Sequence, residues 1–521
     1  MKKVLILLSG IAVTLFSMNA NAQNAYTAYS LSDNKVEGTA RSVAMGNAMT
    51  ALGGDLGAIS INPAASAVYK YNEVGFTPAF YTSVIETNFG GMNTKATRTS
   101  FGIANLGGVA NMSIGRNRNT GLVGFSFGLT YNKQNNFNTT VKNNAFVGGS
   151  SYADALANNM SGYLGYDMDM NNSQDPFRTF GVGMWPYLLA WNGSIVDTLD
   201  TNPSEFIAAT YYNPDSYNSF QTYNRKQYGS NSVSNVNMGF NFGNKFYLGF
   251  NVGFHSVWNK VEETYTEEST DADGNPMLSD SGFDYMRQFY HQTTSGSGID
   301  FQLGFIYTPA PFVRLGASIS SPTWYFLTDK CYWDLDTYFD DNYHATINSP
   351  EAAFDYRVNT PFRYSVGAAL TFPWGAFSLD YEGSKYSQAR LHNSPSTERS
   401  LEEDFSGINS EIQSVFDRSD KVRFGAEVNP VPYISVRGGF QYSTAGLKKE
   451  VFGKVFESYV GSFGLGFTTK CGFFTDVAYQ QSIKKQTLIY DAADVVSDYV
   501  CAETPIKRND WRLLFTFGYR F

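Results

Sequence analysis

The chain has 521 residues, a formal net charge of -9 and a mean hydropathy of -0.27, and it contains 48 Gly, 35 Tyr and 42 Phe. This composition is too polar for a bundle of membrane-spanning helices and too aromatic for a disordered chain. The negative charge, without any basic run, argues against nucleic acid and anionic lipid headgroups as partners.

Residues 1–22 have the features of a secretory signal peptide. Lys2 and Lys3 give a positive start, residues 4–16 form an apolar stretch, and Ala20-Asn21-Ala22 supplies small residues before a cleavage site. A membrane anchor would need about 18 or more apolar residues. We therefore expect an exported protein whose mature chain begins at Gln23.

The last eleven residues alternate in the way a membrane strand does. Aromatic and aliphatic side chains dominate every second position, and the positions between them are mostly small or charged. The first set is Trp511, Leu513, Phe515, Phe517, Tyr519 and Phe521. A strand of a soluble sandwich is the alternative, but its apolar face is usually aliphatic. A C-terminal aromatic residue is typical of outer-membrane β-barrels, so the barrel-assembly machinery is an expected partner through Phe521.

Short links bearing Gly or Pro join alternating segments in pairs, and long polar stretches separate the pairs. The links are Gly243-Asn244-Lys245, Thr308-Pro309-Ala310-Pro311, Pro373-Trp374-Gly375, Asn429-Pro430-Val431-Pro432 and Lys470-Cys471-Gly472. Short turns on one side and long loops on the other are typical of outer-membrane barrels, in which the short side is periplasmic. The sequence therefore predicts an all-β fold, a transmembrane antiparallel β-barrel.

Counting strands with this rule gives about 14, an even number as in bacterial single-chain barrels. They are predicted at 72–85, 98–111, 121–131, 232–242, 246–261, 290–307, 312–326, 356–372, 376–386, 420–428, 433–443, 459–468, 473–483 and 510–521. In the fifth, apolar residues occupy the even positions from Phe246 to Phe254. The tenth and eleventh carry Lys421, Arg423, Glu427, Arg437 and Gln441 on their polar face. We expect these side chains to line the lumen, because a charge facing lipid costs about 2 to 4 kcal/mol at mid-membrane.

The predicted domains are a signal peptide at 1–22, a segment at 23–70 that the resemblance described below identifies as a periplasmic or lumenal hatch, and the barrel at 71–521. Long external loops are predicted at 132–231, 263–288, 328–355, 387–418, 444–457 and 484–508. The first loop carries an apolar patch at 184–191, which a disordered loop would not, so we expect it to fold back over the barrel mouth. Helical spacing of apolar residues predicts an amphipathic helix within 397–416 on the outer surface.

Three cysteines are an odd number for an exported chain. Cys331 and Cys501 fall in predicted external loops, where a disulfide between them is one possibility, whereas Cys471 falls in a short turn on the opposite side. The spacing of the cysteines and of the four histidines offers no zinc site. We expect neither a metal nor a cofactor.

The segment before the first strand does not have a barrel pattern. Gly38 and Arg41 lead into small, helix-compatible residues around Gly46, a glycine-rich break follows at 53–57, and then comes Asn62-Pro63-Ala64. This run, with its Asn-Pro-Ala motif, resembles the N-terminal hatch of the FadL/TodX-type outer-membrane transporters of long-chain fatty acids and other hydrophobic compounds. Further similarities downstream extend the resemblance over nearly the whole mature chain.

The resemblance implies a 14-stranded barrel that is plugged by the hatch, holds ligand in an apolar lumenal pocket and releases it sideways through a gap at a kinked strand. Candidate ligand-binding residues are Tyr26, Tyr29, Leu31, Met45, Met49, Tyr247 and Phe474. For each of them, packing of the hatch against the wall is an equally good interpretation. A break in wall hydrogen bonding is expected where glycine interrupts a strand. The candidates for this lateral opening are Gly107, Gly108, Gly121 and Gly124.

We therefore expect a monomer that transports a small hydrophobic molecule, foremost a long-chain fatty acid, and contacts outer-membrane lipid. The alternative is a surface receptor or adhesin whose barrel anchors the long loops. Gly124-Phe125-Ser126-Phe127-Gly128 matches the nucleophile elbow of hydrolases, but that elbow needs a strand-to-helix turn and here the motif lies inside an alternating strand. Catalysis is not expected. The sequence does not name the ligand, because apolar pockets discriminate poorly between similar molecules.

Overall fold

The computed structural model describes residues 25–89, 92–114, 120–171, 174–199, 202–340, 343–394, 405–452, 456–487 and 505–521. The strands are β1 (Glu73–Phe89), β2 (Met92–Ser113), β3 (Leu122–Asn136), β4 (Thr139–Gly148), β5 (Val196–Leu199), β6 (Asn202–Ala208), β7 (Asn218–Phe242), β8 (Phe246–Thr270), β9 (Phe283–Ala310), β10 (Val313–Ser320), β11 (Trp324–Phe339), β12 (His344–Asn348), β13 (Ala352–Asn359), β14 (Arg363–Phe372), β15 (Gly375–Lys385), β16 (Arg390–Asn393), β17 (Arg418–Val431), β18 (Ile434–Thr444), β19 (Glu457–Thr468), β20 (Phe473–Thr487) and β21 (Pro505–Arg520). The α-helices are α1 (Ala25–Ser32), α2 (Ala40–Ala44), α3 (Tyr152–Met160), α4 (Gly165–Met168), α5 (Pro176–Thr179), α6 (Trp185–Asn192), α7 (Ser406–Val415) and α8 (Lys449–Phe452). The predicted signal peptide lies outside the described residues.

The strands close into an antiparallel barrel of 14 strands, which confirms the predicted fold class and count. β1 pairs with β2 on one side and with β21 on the other, so the first and last strands form the closing seam. Some barrel strands consist of two collinear segments. β3 and β4 both lie against β7, and β10 and β11 both lie against β9.

Outward and inward side chains alternate along the barrel strands. In β8, Phe246 and Leu248 are exposed on the outside, whereas Asn251 is buried inside. Lys421, Arg423, Glu427 and Arg437 are also buried inside the barrel, as their strand patterns predict. Among the described residues, no helix is both long enough and apolar enough to cross a bilayer.

Several strands extend well into stretches that the sequence predicts as loops. β8 continues to Thr270, β9 begins at Phe283 and β11 reaches Phe339. Beyond the lipid-facing band many outer side chains of these strands are polar and the inner ones pack against other parts of the chain, so the simple apolar alternation disappears. Cys331 consequently lies in β11 and is buried there rather than in a loop. Cys501 lies outside the described residues.

The described residues within 149–217 form a lid at the end of the barrel to which these long strands extend. The lid contains α3 to α6 and the β5–β6 hairpin. The apolar patch at 184–191 lies mostly in α6, where Leu188 and Leu189 are fully buried. They belong to one core with Tyr265 of β8 and Trp333 of β11, so the lid packs on the inner faces of the extended strands.

A buried carboxylate fastens the lid to the barrel. Glu267 of β8 accepts hydrogen bonds from the Tyr217 hydroxyl at 2.5 Å, the Tyr265 hydroxyl at 2.7 Å and the Tyr152 backbone N–H at 3.0 Å. Two of these donors, Tyr152 and Tyr217, belong to the lid. Buried polar contacts of this kind fix one position for the lid, because each donor would otherwise lose its partner.

The predicted helix within 397–416 is present as α7. Its apolar residues Ile408, Ile412 and Val415 are buried in one cluster with Tyr29 of α1. The helix therefore packs inward on the N-terminal helix and does not present its apolar side to the exterior. Residues 397–404 lie outside the described part of the chain.

Candidate functional site

The described residues from 25 to 70, which we call the hatch, lie inside the barrel and pack against strands on nearly every side. Asn62 is extended and caps a short 3-10 helix, Pro63–Val68, by accepting a hydrogen bond from the Ala64 N–H at 3.0 Å. Its amide nitrogen donates to the Thr50 carbonyl at 2.6 Å and to the Phe305 carbonyl of β9 at 3.1 Å. The Asn62 side chain thus forms hydrogen bonds with its own turn, with a neighbouring hatch segment and with the barrel wall.

Two wall glycines make room for the Asn62–Pro63 turn. A Cβ on Gly304 of β9 would overlap the Asn62 side-chain oxygen, and a Cβ on Gly249 of β8 would overlap the Pro63 backbone. Any larger residue at these inward-facing positions would push the turn away from the wall. The Asn-Pro-Ala motif and the two glycines are therefore parts of one contact.

Side-chain amides and hydroxyls of the wall hold the same stretch of the hatch. The Ser60 hydroxyl accepts hydrogen bonds from Asn132 of β3 at 2.7 Å and from Asn235 of β7 at 2.8 Å. Asn237 donates to the Pro63 carbonyl at 3.0 Å, and Asn251 donates to the Ile59 carbonyl at 2.8 Å. This side of the hatch is held by neutral hydrogen bonds.

The opposite side of the hatch is held by charges. Arg41 Nε lies 2.9 Å from Glu427 Oε2, and Arg437 Nε lies 2.6 Å from the same oxygen. Arg437 Nη1 continues the chain of alternating charges to Asp476 Oδ1 at 2.5 Å. Arg41 also donates to the Gly54 carbonyl at 3.1 Å, so one side chain joins two hatch segments to the wall.

Gly38 and Gly46 both have positive φ, near 62° and 63°, which favours glycine. A Cβ on Gly46 would also press on the backbone of Phe424 and Phe440 in β17 and β18. These two residues shape the hatch backbone and its close approach to the wall. Gly46 and Arg41 therefore form a second docking contact between the hatch and the wall, and Gly38 shapes the hatch backbone beside it.

A cavity of about 150 Å³ lies between the hatch and the wall. Its cationic lining residues are Lys35, Lys421, Arg423, Lys484, Arg508 and Arg512, and its acidic ones are Asp33, Glu37, Glu457 and Asp510. Arg423 is also paired with Glu382, just outside the lining, at 2.8 Å. Lys484 forms no ion pair with any described residue within 4.0 Å. The lining is thus partly apolar and rich in charged residue types, with six Lys and Arg against four Asp and Glu, whereas an apolar cavity was expected.

The seven residues proposed for an apolar pocket lie in separate places. Tyr26, Tyr29 and Leu31 are in α1 beside α7, and Tyr29 also lines the cavity. Met45 and Met49 are fully buried in the core of the hatch. Tyr247 packs against Ala64 and Ala67, and Phe474 lies under the Arg520 guanidinium at 4.3 Å. Apart from Tyr29, these residues pack the hatch or the wall and do not surround the described cavity.

The barrel wall is incomplete between β2 and β3. Their ladder runs from Ser113–Gly124 to Asn105–Asn132 and ends there. β2 continues to Met92, and along this stretch it forms a ladder with β1 alone among the described strands. Phe101 of this one-sided stretch is 63% exposed and Ile103 is 38% exposed, so both face outward as lipid-facing residues do. An unpaired strand edge therefore lies at the level of the lipid.

Two extra residues mark the point where the ladder ends. In β2, Ala104 is a bulge opposite the step from Thr77 to Pro78 of β1. In β3, Gln134 is a bulge between the residues that pair with β7. Pro78 has no N–H to donate, which is a physical reason for irregular pairing at this level. Pro78 is the sequence signal that strand-by-strand reasoning overlooked.

Side chains bridge the gap above this point. The Arg98 guanidinium lies 4.0 Å from the centre of the Tyr228 ring, and the Asn136 amide donates to the Ser100 hydroxyl at 3.4 Å. The glycines proposed for the lateral opening lie below it. Gly107 and Gly108 belong to the paired part of the ladder, Gly124 is at its lower end and Gly121 precedes β3.

No family model and no curated protein matches the chain. Among solved structures, a FadL homologue of Pseudomonas aeruginosa matches with a TM-score of 0.52 and 12% identity, over 93% of this chain and 98% of that chain. The deltaS2 mutant of the TodX monoaromatic hydrocarbon channel matches with a TM-score of 0.50 and 13% identity, over 93% of this chain and 99% of that one. At this level of identity the likeness concerns the fold. The chain has the fold of FadL-type channels, and the resemblance read from its hatch motif is confirmed to that extent.

Proposed function

We propose that this protein carries small amphipathic compounds, foremost long-chain fatty acids, across the outer membrane and releases them sideways between β2 and β3. The observation that carries the proposal is the unpaired edge of β2 at the level of the lipid, beside the cavity next to the hatch. Asn136 belongs to both places, since it lines the cavity and bridges the gap to Ser100.

Lateral release follows from the chemistry of an apolar ligand. A fatty acyl chain gains nothing by entering the aqueous periplasm, whereas the bilayer solvates it. A complete barrel wall would block that step, because every backbone group is bonded to the next strand. The end of the ladder at Asn105–Asn132 supplies a place where only side chains must move.

An acidic headgroup suits the cavity better than a neutral hydrocarbon does. A carboxylate entering it would meet six Lys and Arg side chains. Five of them already pair with carboxylates, whereas Lys484 forms no ion pair with a described residue. A neutral aromatic molecule would leave these polar groups without compensation for lost water. We therefore assign the cavity to the headgroup, and the acyl chain to the gap.

Cross-linking of the gap tests the exit. With Ser100→Cys and Asn136→Cys joined by a short thiol-reactive linker, uptake of labelled oleate by cells is expected to fall at least tenfold, while oleate binding to the purified protein persists. The control joins Met112→Cys to Phe125→Cys, which are partners in the intact ladder, and should leave uptake unchanged. Undiminished uptake by a fully linked Ser100–Asn136 variant would show that release occurs elsewhere.

A second variant tests the headgroup assignment. Lys484→Gln removes from the lining an amine that can bind a carboxylate, and it should weaken oleate binding about tenfold, with little effect on a neutral hydrocarbon such as toluene. Equal losses for both compounds would point to a general disturbance of the cavity. Weakened toluene binding with unchanged oleate binding would overturn the choice of an acidic ligand.

A further inference from the structure

The edge of β3 that β2 leaves unpaired is occupied by the hatch. Just above the last β2–β3 pair, the Lys133 carbonyl accepts a hydrogen bond from the Glu37 N–H at 2.9 Å, and the Gln134 carbonyl accepts one from the Lys35 N–H at 3.3 Å. A short hatch segment at 35–37 thus contacts β3 from inside the barrel, at the level where β2 would be expected on the wall side.

Asn135 strengthens this contact. Its amide nitrogen donates to the Asp33 carbonyl at 2.7 Å and to the Ser30 carbonyl at 3.1 Å. Gln134 is a bulge in this part of β3, and Lys133, Gln134 and Asn135 are all buried. Four hydrogen bonds therefore join a stretch of three β3 residues to the hatch.

β2 is placed to take over these acceptors. If the register that pairs Asn105 with Asn132 continued, Ala104 would lie opposite Lys133. The β2 residues from 94 to 104 have β1 as their only strand partner within the described chain. An unpaired strand edge readily binds another strand, and in lipid each unbonded backbone group is costly.

We propose that the hatch segment 35–37 and β2 compete for the same edge of β3, so that the lateral gap is open while the hatch is seated and closes when it leaves. The exchange keeps the number of backbone hydrogen bonds nearly constant, because each β3 carbonyl gains one donor as it loses another. Asn135 then biases the balance towards the seated hatch. The fold contains an interlock in which losing the plug seals the side exit.

The interpretation of the gap as an exit rests on the proposed function. The replacement of the hatch segment by β2 on the edge of β3 does not. It is measured on the full-length protein in detergent, without ligand, as the rate at which Ile103→Cys and Gln134→Cys become cross-linked. If the β2–β3 register continued, these two positions would lie opposite each other, whereas with the hatch seated Ile103 faces outward and Gln134 is buried. Asn135→Ala removes two hydrogen bonds to the hatch and should raise this rate about tenfold, since each such bond shifts an equilibrium by roughly threefold to tenfold. Asn144→Ala is the matched control and should have no effect, because Asn144 lies on the less buried face of β4.

Hydrogen exchange of the β2 amides from 94 to 104 gives a second readout. These amides should become more protected in Asn135→Ala, because β2 then pairs with β3. Lys35→Pro, which deletes the N–H that the Gln134 carbonyl accepts, provides a second variant and should act in the same direction. Heat-modifiable migration on gels establishes that each barrel is folded.

Unchanged or slower cross-linking, together with unchanged protection of β2, would overturn the interlock. The two proposals fail separately. Faster cross-linking in a protein that does not take up oleate would retain the interlock and reject the transport function. If the Ser100–Asn136 cross-link blocks uptake but Asn135→Ala changes neither the cross-linking rate nor the protection of β2, lateral exit is retained and the interlock is rejected.

Discussion

Arg41 of the hatch and Glu427 of β17 are joined by two hydrogen bonds, from Nε to Oε2 at 2.9 Å and from Nη2 to Oε1 at 3.3 Å. A two-point contact between guanidinium and carboxylate fixes orientation as well as distance. Replacing Arg41 with Ala should destabilise hatch docking by about 3 kcal/mol, because a largely buried carboxylate loses one of its two cationic partners. The barrel itself should stay folded.

Limited proteolysis of folded barrels measures this effect, since a loosened hatch is cleaved faster. Arg41→Lys is the matched control, because it keeps the charge without the planar fork, and it should lie between native and Ala. Cleavage of Arg41→Ala at the native rate would show that the neutral contacts on the other side suffice.

Asn62→Ala removes the cap of the Pro63–Val68 helix and two further hydrogen bonds. We expect a cost of about 2 to 4 kcal/mol, because buried partners are left unsatisfied. Large antibiotics should then enter cells more readily, which growth inhibition measures at equal barrel abundance. Asn88→Ala, an exposed position on the β1–β2 hairpin, should behave like the native protein. Native sensitivity of Asn62→Ala would exclude this anchoring role.

Gly304→Ala tests the fit between the hatch and the wall. The added methyl would overlap the Asn62 side chain, whereas a Cβ on Gly461 of β19 would meet nothing within 4 Å. Gly304→Ala should therefore loosen the hatch, and Gly461→Ala should not. Overpacking of this kind costs about 1 to 3 kcal/mol. Equal protease resistance of the two variants would mean that the turn shifts without penalty.

Glu267 should make lid docking depend on pH. Burial raises the pKa of this carboxyl above its usual range. A group whose pKa is raised on folding contributes stability below its unfolded pKa, and that contribution is lost as the pH rises through the folded pKa. Hydrogen exchange in 149–217 should thus show strongest protection at acidic pH, and Glu267→Gln should remove the dependence. Protection that increases with pH in the native protein would contradict this sign.

The orientation of the barrel can be tested by thiol labelling of intact cells. In a variant without the three native cysteines, Cys at Tyr166 or Asp271 should react with an impermeant maleimide, whereas Cys at Asn244 should not. Tyr166 is 74% exposed on the lid, and Asn244 lies in the turn between β7 and β8. Labelling at Asn244 alone would reverse the assignment of the two sides.

Much of the architecture is legible in the sequence because lipid imposes a strict alternation on each strand. Lys421 and Arg423 are assigned to the lumen by parity alone, and their burial there follows. The extended ends of β8 and β9 could not be predicted from this alternation. Their outer positions, such as Glu262 and Thr264, face water and their inner positions face the lid, so neither face carries a lipid signal.

The site is harder to predict, since it depends on contacts between segments distant in the chain. No local pattern links Lys35 to Gln134, or Asn62 to Gly304. Glycine inside a strand suggests a break in the ladder, yet Gly107 allows β2 and β3 to approach closely and stay paired. The interruption begins instead at Pro78, which acts through the bulge it produces in the neighbouring strand.

The seam between β1 and β21 sets an order for assembly. The hatch is continuous with β1, and its Ala40 N–H donates to Thr516 of β21 at 2.8 Å, beside the Thr77–Thr516 contact across the seam. The hatch therefore touches a residue of the last strand at the seam, and this contact can form only when β21 has joined β1. Seating of the hatch and closure of the ring are thereby coupled steps of assembly.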